Sequence, residues 1–396
     1  MQLLDRSKAL KITPFLRLGF RPFFFLGALL AAVAVPLWLL ALNGYFVDWQ
    51  PTGNWLAWHR HELLFGFVGA IIAGFLLTAV QTWTGVPGLS GNLLLGLTLI
   101  WVAARLAWFV NVPEPVFLIL NGLFFPLVAL QMARSVWPVR QVRNYPLVLV
   151  LLVLSALNAV VLFGVVNADE ALQRQAVLGG VWAVGAIMCI IGGRVIPFFT
   201  QRGLLRPHGV QAWPWLEHAL LYGTLLIVLC YAGGWALQRQ AAIGALFLLL
   251  AVGNLIRLAR WYDQGIWRVS LLWSLHVATL WFVIAFFCMA LWNFGWLANV
   301  SLAVHALTVG AMAGLILAMI ARVTLGHTGR MLTPPKAMTW GFALFNLAAV
   351  SRVFLVELNY QAGLGIAVLC WSVSFAIYLY CYGPMLWKAR VDGAPG

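Results

Sequence analysis

The sequence predicts an all-α integral membrane protein with twelve transmembrane helices, and three observations predict it. The 396 residues are 63% hydrophobic and 9% charged, with a mean hydropathy of +0.95. A soluble domain carries about 25% charged residues, so this chain has too little polar surface to face water all round. Apolar runs of about 20 residues, the length that crosses a bilayer, recur from end to end. Lys and Arg are also shared unevenly between the two sets of loops that twelve spans define.

The spans are expected at 20–43, 57–80, 91–111, 115–136, 146–166, 176–199, 216–236, 240–261, 270–294, 297–323, 336–358 and 362–387. The first follows a basic segment with Arg6, Lys8 and Lys11 and is too long for the apolar core of a signal peptide. Breakers separate several of the others: Pro87-Gly88, Pro113 to Pro115, Pro207 and Pro334-Pro335. The connections are short, so residues 1–396 read as a single membrane domain. Of the 24 Lys and Arg residues, 19 fall on the N-terminal side. The other side has Arg60, Arg105, Arg174, Arg239 and Arg352. This asymmetry puts both termini in the cytoplasm, and one missed span would destroy it. Trp58, Trp137, Trp213, Trp292, Trp296 and Tyr360 at span ends suit an interfacial belt.

The net charge of +14 is therefore a matter of topology. Clustered basic residues with stacking aromatics outside the membrane are missing, which excludes a nucleic-acid partner. The five cysteines lie inside apolar runs and form no C-x-x-C pair, so they read as small apolar fillers. Walker A, H-E-x-x-H and C-x-x-C-H motifs are absent.

An internal repeat is visible. When 61–85 is laid over 305–329 without a gap, six of 25 positions are identical: His61/His305, Leu63/Leu307, Gly66/Gly310, Ile72/Ile316, Thr84/Thr328 and Gly85/Gly329. The stretch 177–200 fits as well, with Gly185 on Gly69, Arg194-Val195 on Arg322-Val323 and Thr200 on both threonines. These are spans two, six and ten, so the chain reads as three parallel copies of a four-helix unit.

His61 and His305 each stand near the outer end of their span. An ionisable side chain inside a span is costly and marks function by default. Two imidazoles meeting across a bundle form a natural pair of axial haem ligands. The stripes Gly66, Gly69, Ala70, Ala73 and Gly310, Ala313, Gly314 admit either a neighbouring helix or a flat ring. His59 is two residues from His61, about 200° round a helix, so it faces elsewhere, to cap the helix or hold a second metal. Glu62 either orients the His61 ring or sits where a helix N-terminus favours negative charge. Arg105 and Arg352 are candidates for haem propionates, or pair with Glu114 and Glu357. His208, His218, His276 and His327 gather on the inner side. With Glu217 they form a second candidate metal set, or they simply face the interface.

Four segments resemble the NnrS family: LRLGFRPFFFLGALLAA at 16–32, WHRHELLFGFVGAIIAGFLLTAVQTWTG at 58–85, GGRVIPFFT at 192–200 and HALTVGAMAGLILAMIARVTLGHTGR at 305–330. Family members often read W-H-x-H-E-M, and here Leu63 replaces the methionine. The resemblance implies a bacterial inner-membrane protein with haem, b-type, and copper, in the nitric oxide and nitrosative stress response linked to denitrification. It makes His59, His61 and His305 the leading ligands. Nitric oxide or another diatomic molecule would be the ligand, a quinol or redox protein the electron donor, and membrane lipid the surroundings. The architecture is also similar to the main subunit of haem-copper oxidases, but the copper ligands of spans six and seven are not reproduced. Any oxidoreductase activity on nitric oxide or a quinol stays open on that ground. The alternative is a secondary transporter or metal exporter without haem.

Overall fold

A computed structural model describes residues 6–395. The side chains of Arg6 and Lys8, counted above among the basic residues, lie outside the described ones. Helix dominates from end to end, with no strand among the described residues. The long helices are α1 (Phe20–Leu42), α2 (Trp55–Thr84), α3 (Gly91–Ala107), α4 (Glu114–Val136), α5 (Tyr145–Val166), α6 (Glu170–Gly203), α7 (Pro214–Ala232), α8 (Ala241–Trp261), α9 (Ser270–Asn293), α10 (Val300–His327), α11 (Lys336–Leu358) and α12 (Tyr360–Trp387). Among the described residues, eleven are long and apolar enough to cross a membrane.

The exception is α3. Expected to run to 111, it ends at Ala107 after 17 residues, about 25 Å against a hydrocarbon core of about 30 Å. Pro113 keeps the residue before it out of helical geometry, and Pro115 sits in the first turn of α4, where proline is tolerated. The Trp108 carbonyl turns to accept from the Thr52 N–H at 2.9 Å. Other helices overrun the expected bounds. α6 has 34 residues, capped at its start by Asp169 Oδ1, which accepts from Leu172 N–H at 2.9 Å. α2 runs on to Thr84, where Gly85 closes it in a left-handed turn at φ 71°.

The chain divides into two compact units. Unit 1 comprises 1–177, 320–333 and 375–396; unit 2 comprises 178–319 and 334–374. In unit 1, α2 packs against α1 and α4, and α4 against α3 and α5. In unit 2, α8 lies along α9, and α9 along the first half of α10. The glycine stripes of α2 and α10 are filled by protein. A Cβ on Gly69 would stand 2.8 Å from the Phe125 ring, one on Gly74 3.0 Å from Phe23, and one on Gly310 2.5 Å from the Trp281 indole. Aromatic side chains of neighbouring helices within the same unit take the space that the sequence left open.

α2 and α10 share more than sequence. Directly after His61, α2 widens into a π-helix over Glu62–Val68, and directly after His305, α10 does so over Ala306–Ala313. In the 61–85 and 305–329 alignment these segments coincide. Both stretches also close alike: Thr84 and Thr328 hydroxyls bond the carbonyl four residues back, at 2.7 and 2.6 Å, and Gly85 and Gly329 take positive φ. α6 stays α-helical throughout, so the third stretch lacks this mark.

Candidate functional site

The site in unit 1 is built on His61. The side chain of Asn54 caps α2 by accepting from Ala57 N–H at 2.8 Å, and His61 closes the seven-residue segment that precedes the π turn. Its ring is 0% exposed, against Trp108 and Phe65 with centroids 4.9 and 5.4 Å away. Nδ1 meets Glu62 Oε1 at 2.8 Å and Nε2 meets Asn158 Oδ1 at 2.9 Å. Glu62, itself buried, forms an ion pair with Arg105 Nε at 2.5 Å. Asn121 joins the two halves. Its Oδ1 accepts from Trp108 Nε1 at 3.0 Å and from Arg105 at 3.3 Å, and its carbonyl accepts from Asn158 Nδ2 at 2.8 Å. Helices α2 to α5 each contribute, giving a closed polar network in an apolar unit.

The directions of these bonds follow from donor chemistry. The Asn158 N–H groups face the Asn121 carbonyl, so Oδ1 is the atom that faces His61; with the Glu62 carboxylate against Nδ1, both ring nitrogens face acceptors and each carries a proton toward one. Glu62 therefore orients the imidazole, as one of the two sequence readings had it. Arg105 pairs with Glu62 and stacks over Trp101 at 5.1 Å; the pairing expected with Glu114 is not made. Trp101 in turn donates to the Gly66 carbonyl at 3.2 Å, within the π segment.

The site in unit 2 is built on His305. Nδ1 lies 2.7 Å from the Ser301 carbonyl, which can only accept, so Nδ1 carries the proton. Nε2 then presents its lone pair, 3.0 Å from the Arg352 guanidinium, which donates to it. Arg352 also reaches Ser301 Oγ at 3.3 Å. It stands in a third π segment, Ser351–Leu355 of α11. Glu357, its expected acidic partner, instead accepts from Asn299 at 3.4 Å.

The other histidines take separate places. His59 turns away from His61 and stacks on Trp38 of α1, centroids 4.6 Å apart. His276 is not at a wet interface. It is buried between two backbone carbonyls, Leu272 at 3.0 Å and Trp261 at 3.3 Å. His327 lies against the Phe20 ring, His218 is exposed beside Tyr222, and His208 is exposed in a loop. Glu217 is engaged by Arg257 at 3.0 Å. Among the described residues no three His, Cys, Asp or Glu side chains come together as a metal site. Sequence reasoning missed Asn121, Asn158 and Trp108. Two asparagines inside apolar spans were the available signal, because a buried amide needs partners.

One protein family, described as NnrS protein, has a pattern that matches residues 14–390, nearly the whole chain. No curated protein matches it.

Proposed function

Because the chain belongs to the NnrS family, we propose that it is a bacterial inner-membrane protein of the nitric oxide response that holds a b-type haem through His61 and His305. The observation that carries this reading is the matched pair of segments, each a histidine that heads a π-helix and has its Nδ1 engaged from its own helix. Held this way, a ring has Nε2 as the nitrogen for a metal once its present partner, Asn158 or Arg352, gives way. π segments inside α-helices are frequent at functional sites.

The two histidines fit iron differently. His305 has the tautomer iron needs, with its proton on Nδ1 and its lone pair on Nε2, but Arg352 must first leave that lone pair. His61 fits only after Nε2 gives up its proton and the Asn158 amide turns away. The Glu62 contact on the opposite nitrogen would remain to hold the ring. Arg352, which would have to leave His305 Nε2, and Arg105, already paired with Glu62, would be the cations near the propionates. Iron held by both rings would supply a one-electron couple, and a diatomic ligand could reach it only by displacing one of them. Electrons would come from a quinol or a redox protein. For copper, no three described His, Cys, Asp or Glu side chains form a closed site, and His59 is the remaining candidate.

The same reading keeps twelve spans. α3 crosses by local thinning of the bilayer, and the distribution of Lys and Arg requires it. The shared π segments and Thr-Gly ends of α2 and α10 support a repeated unit, as in the haem-copper oxidase architecture. The experiment is an optical spectrum with metal analysis of the protein purified in detergent. A Soret band that shifts on reduction and on addition of nitric oxide is expected. A colourless, iron-free preparation from haem-replete cells would overturn the reading and favour transport.

A further inference from the structure

The basic end of unit 1 holds more positive charge than its described carboxylates neutralise. Arg21, in the first turn of α1, is 0% exposed. One of its nitrogens donates to the carbonyls of Met385, Leu386 and Lys388 at 3.4, 2.9 and 2.7 Å. Its Nε and its other terminal nitrogen are buried and meet no acceptor. The segment after α12, whose Lys388 carbonyl holds Arg21, also brings in Arg390 and Arg330: Val391 N–H and Arg330 both bond the Thr328 carbonyl, at 3.2 and 3.4 Å, and Arg390 donates to the His327 carbonyl at 3.0 Å. Arg17 is spent on the carbonyls of Leu10, Ile12 and Pro395. Among the described residues Asp392 is the acid here, and Arg390 takes both its oxygens, at 2.9 and 2.5 Å. Among the described residues no carboxylate pairs with Arg17, Arg21 or Arg330.

Helix ends offset part of this charge. The C-termini of α10 and α12 each present roughly half a negative charge. Four guanidinium groups, one carboxylate and two helix ends still leave about two positive charges. Buried donors of a charged group are not left unmet without cost, and guanidinium groups match phosphate oxygens in particular.

We propose that Arg21 and Arg330 bind a phosphate group at this end of unit 1, carried by an acidic phospholipid of the adjacent leaflet or free in solution. Arg21 supplies two buried N–H donors. Arg330, half-buried and bonded only to the Thr328 carbonyl at 3.4 Å, supplies the reachable ones. The site is independent of His61 and His305 and of a haem held by them.

The test uses the full chain, purified in a neutral detergent and stripped of lipid. Native mass spectrometry counts the phosphatidylglycerol retained, and thermal unfolding is followed as phosphatidylglycerol or inorganic phosphate is added. One phosphate-bearing ligand per chain and a raised melting temperature are expected. Arg330→Gln should weaken binding about tenfold, the cost of one charged hydrogen bond. Arg21→Lys keeps the charge but loses the two donors, and should weaken it as much. If Arg21→Lys does not fold, Arg330→Gln decides alone. A response to phosphatidylglycerol only identifies lipid as the source, and a response to inorganic phosphate identifies the free anion. No response to either, or equal affinity in wild type and Arg330→Gln, overturns the proposal.

Discussion

Arg105→Met leaves the Glu62 carboxylate 1% exposed with its counter-ion gone. Only the His61 N–H would remain on it. Breaking a buried pair from one side costs about 3–5 kcal/mol, because an uncompensated charge stays inside. Glu62→Gln is the converse: Arg105 keeps Asn121 Oδ1 and the Trp101 face, with no anion. Removing both charges together costs far less, since desolvation is then avoided on both sides. Arg105→Met with Glu62→Gln should therefore be more stable than the sum of the single losses by about 2 kcal/mol or more. The assay is reversible unfolding of the four proteins in mixed micelles titrated with a denaturing detergent. Strict additivity would refute the reasoning, because two residues in a 2.5 Å ion pair cannot be energetically independent.

Three further outcomes follow from the same geometry. Gly310→Ala places a Cβ 2.5 Å from the Trp281 indole and should cost about 1–3 kcal/mol through overpacking, read by the same titration; an unchanged midpoint would mean that α9 and α10 are not packed as described. Asn158→Leu removes the acceptor at His61 Nε2 and should raise the affinity of the isolated protein for haem, measured by optical titration; weaker binding would show that Asn158 supports the ligand rather than competes with it. The Asp263 carboxyl, outside the spans, is held below the usual carboxylate range by its hydrogen bonds from Arg206 and the Gly265 N–H. Its contribution is present above the ordinary carboxylate pKa and is lost as pH falls through the lowered one; Asp263→Asn should flatten the acid limb of the stability profile, and an identical limb would show the pair contributes nothing in solution.

Eleven of the expected spans were legible because a bilayer demands long apolar runs, and their ranges differ from the helices mainly at their ends; the third expected span is a helix of 17 residues. The opposed directions of His59 and His61 were legible too, since helical geometry alone separates positions two apart. Their actual neighbours were not. Helices that are apolar all round carry no phase that tells which face meets which helix. So Arg105 could be placed at a depth but not paired with Glu62, and the Asn121–Asn158 bridge between α4 and α5 stayed hidden. The glycine stripes were recognised as places of close approach, yet sequence could not say that Phe125 and Trp281 would fill them. The aligned repeat pointed to His61 and His305 as counterparts, while the π segments that follow both have no compositional signature.

The most direct test of the central claim is the ligand-field spectrum of the haem-loaded protein, by low-temperature electron paramagnetic resonance and near-infrared magnetic circular dichroism. Two imidazole ligands on one low-spin ferric iron are expected in the wild type, with that signature lost in both His61→Ala and His305→Ala. A bis-imidazole signal that survives in either variant would contradict the assignment.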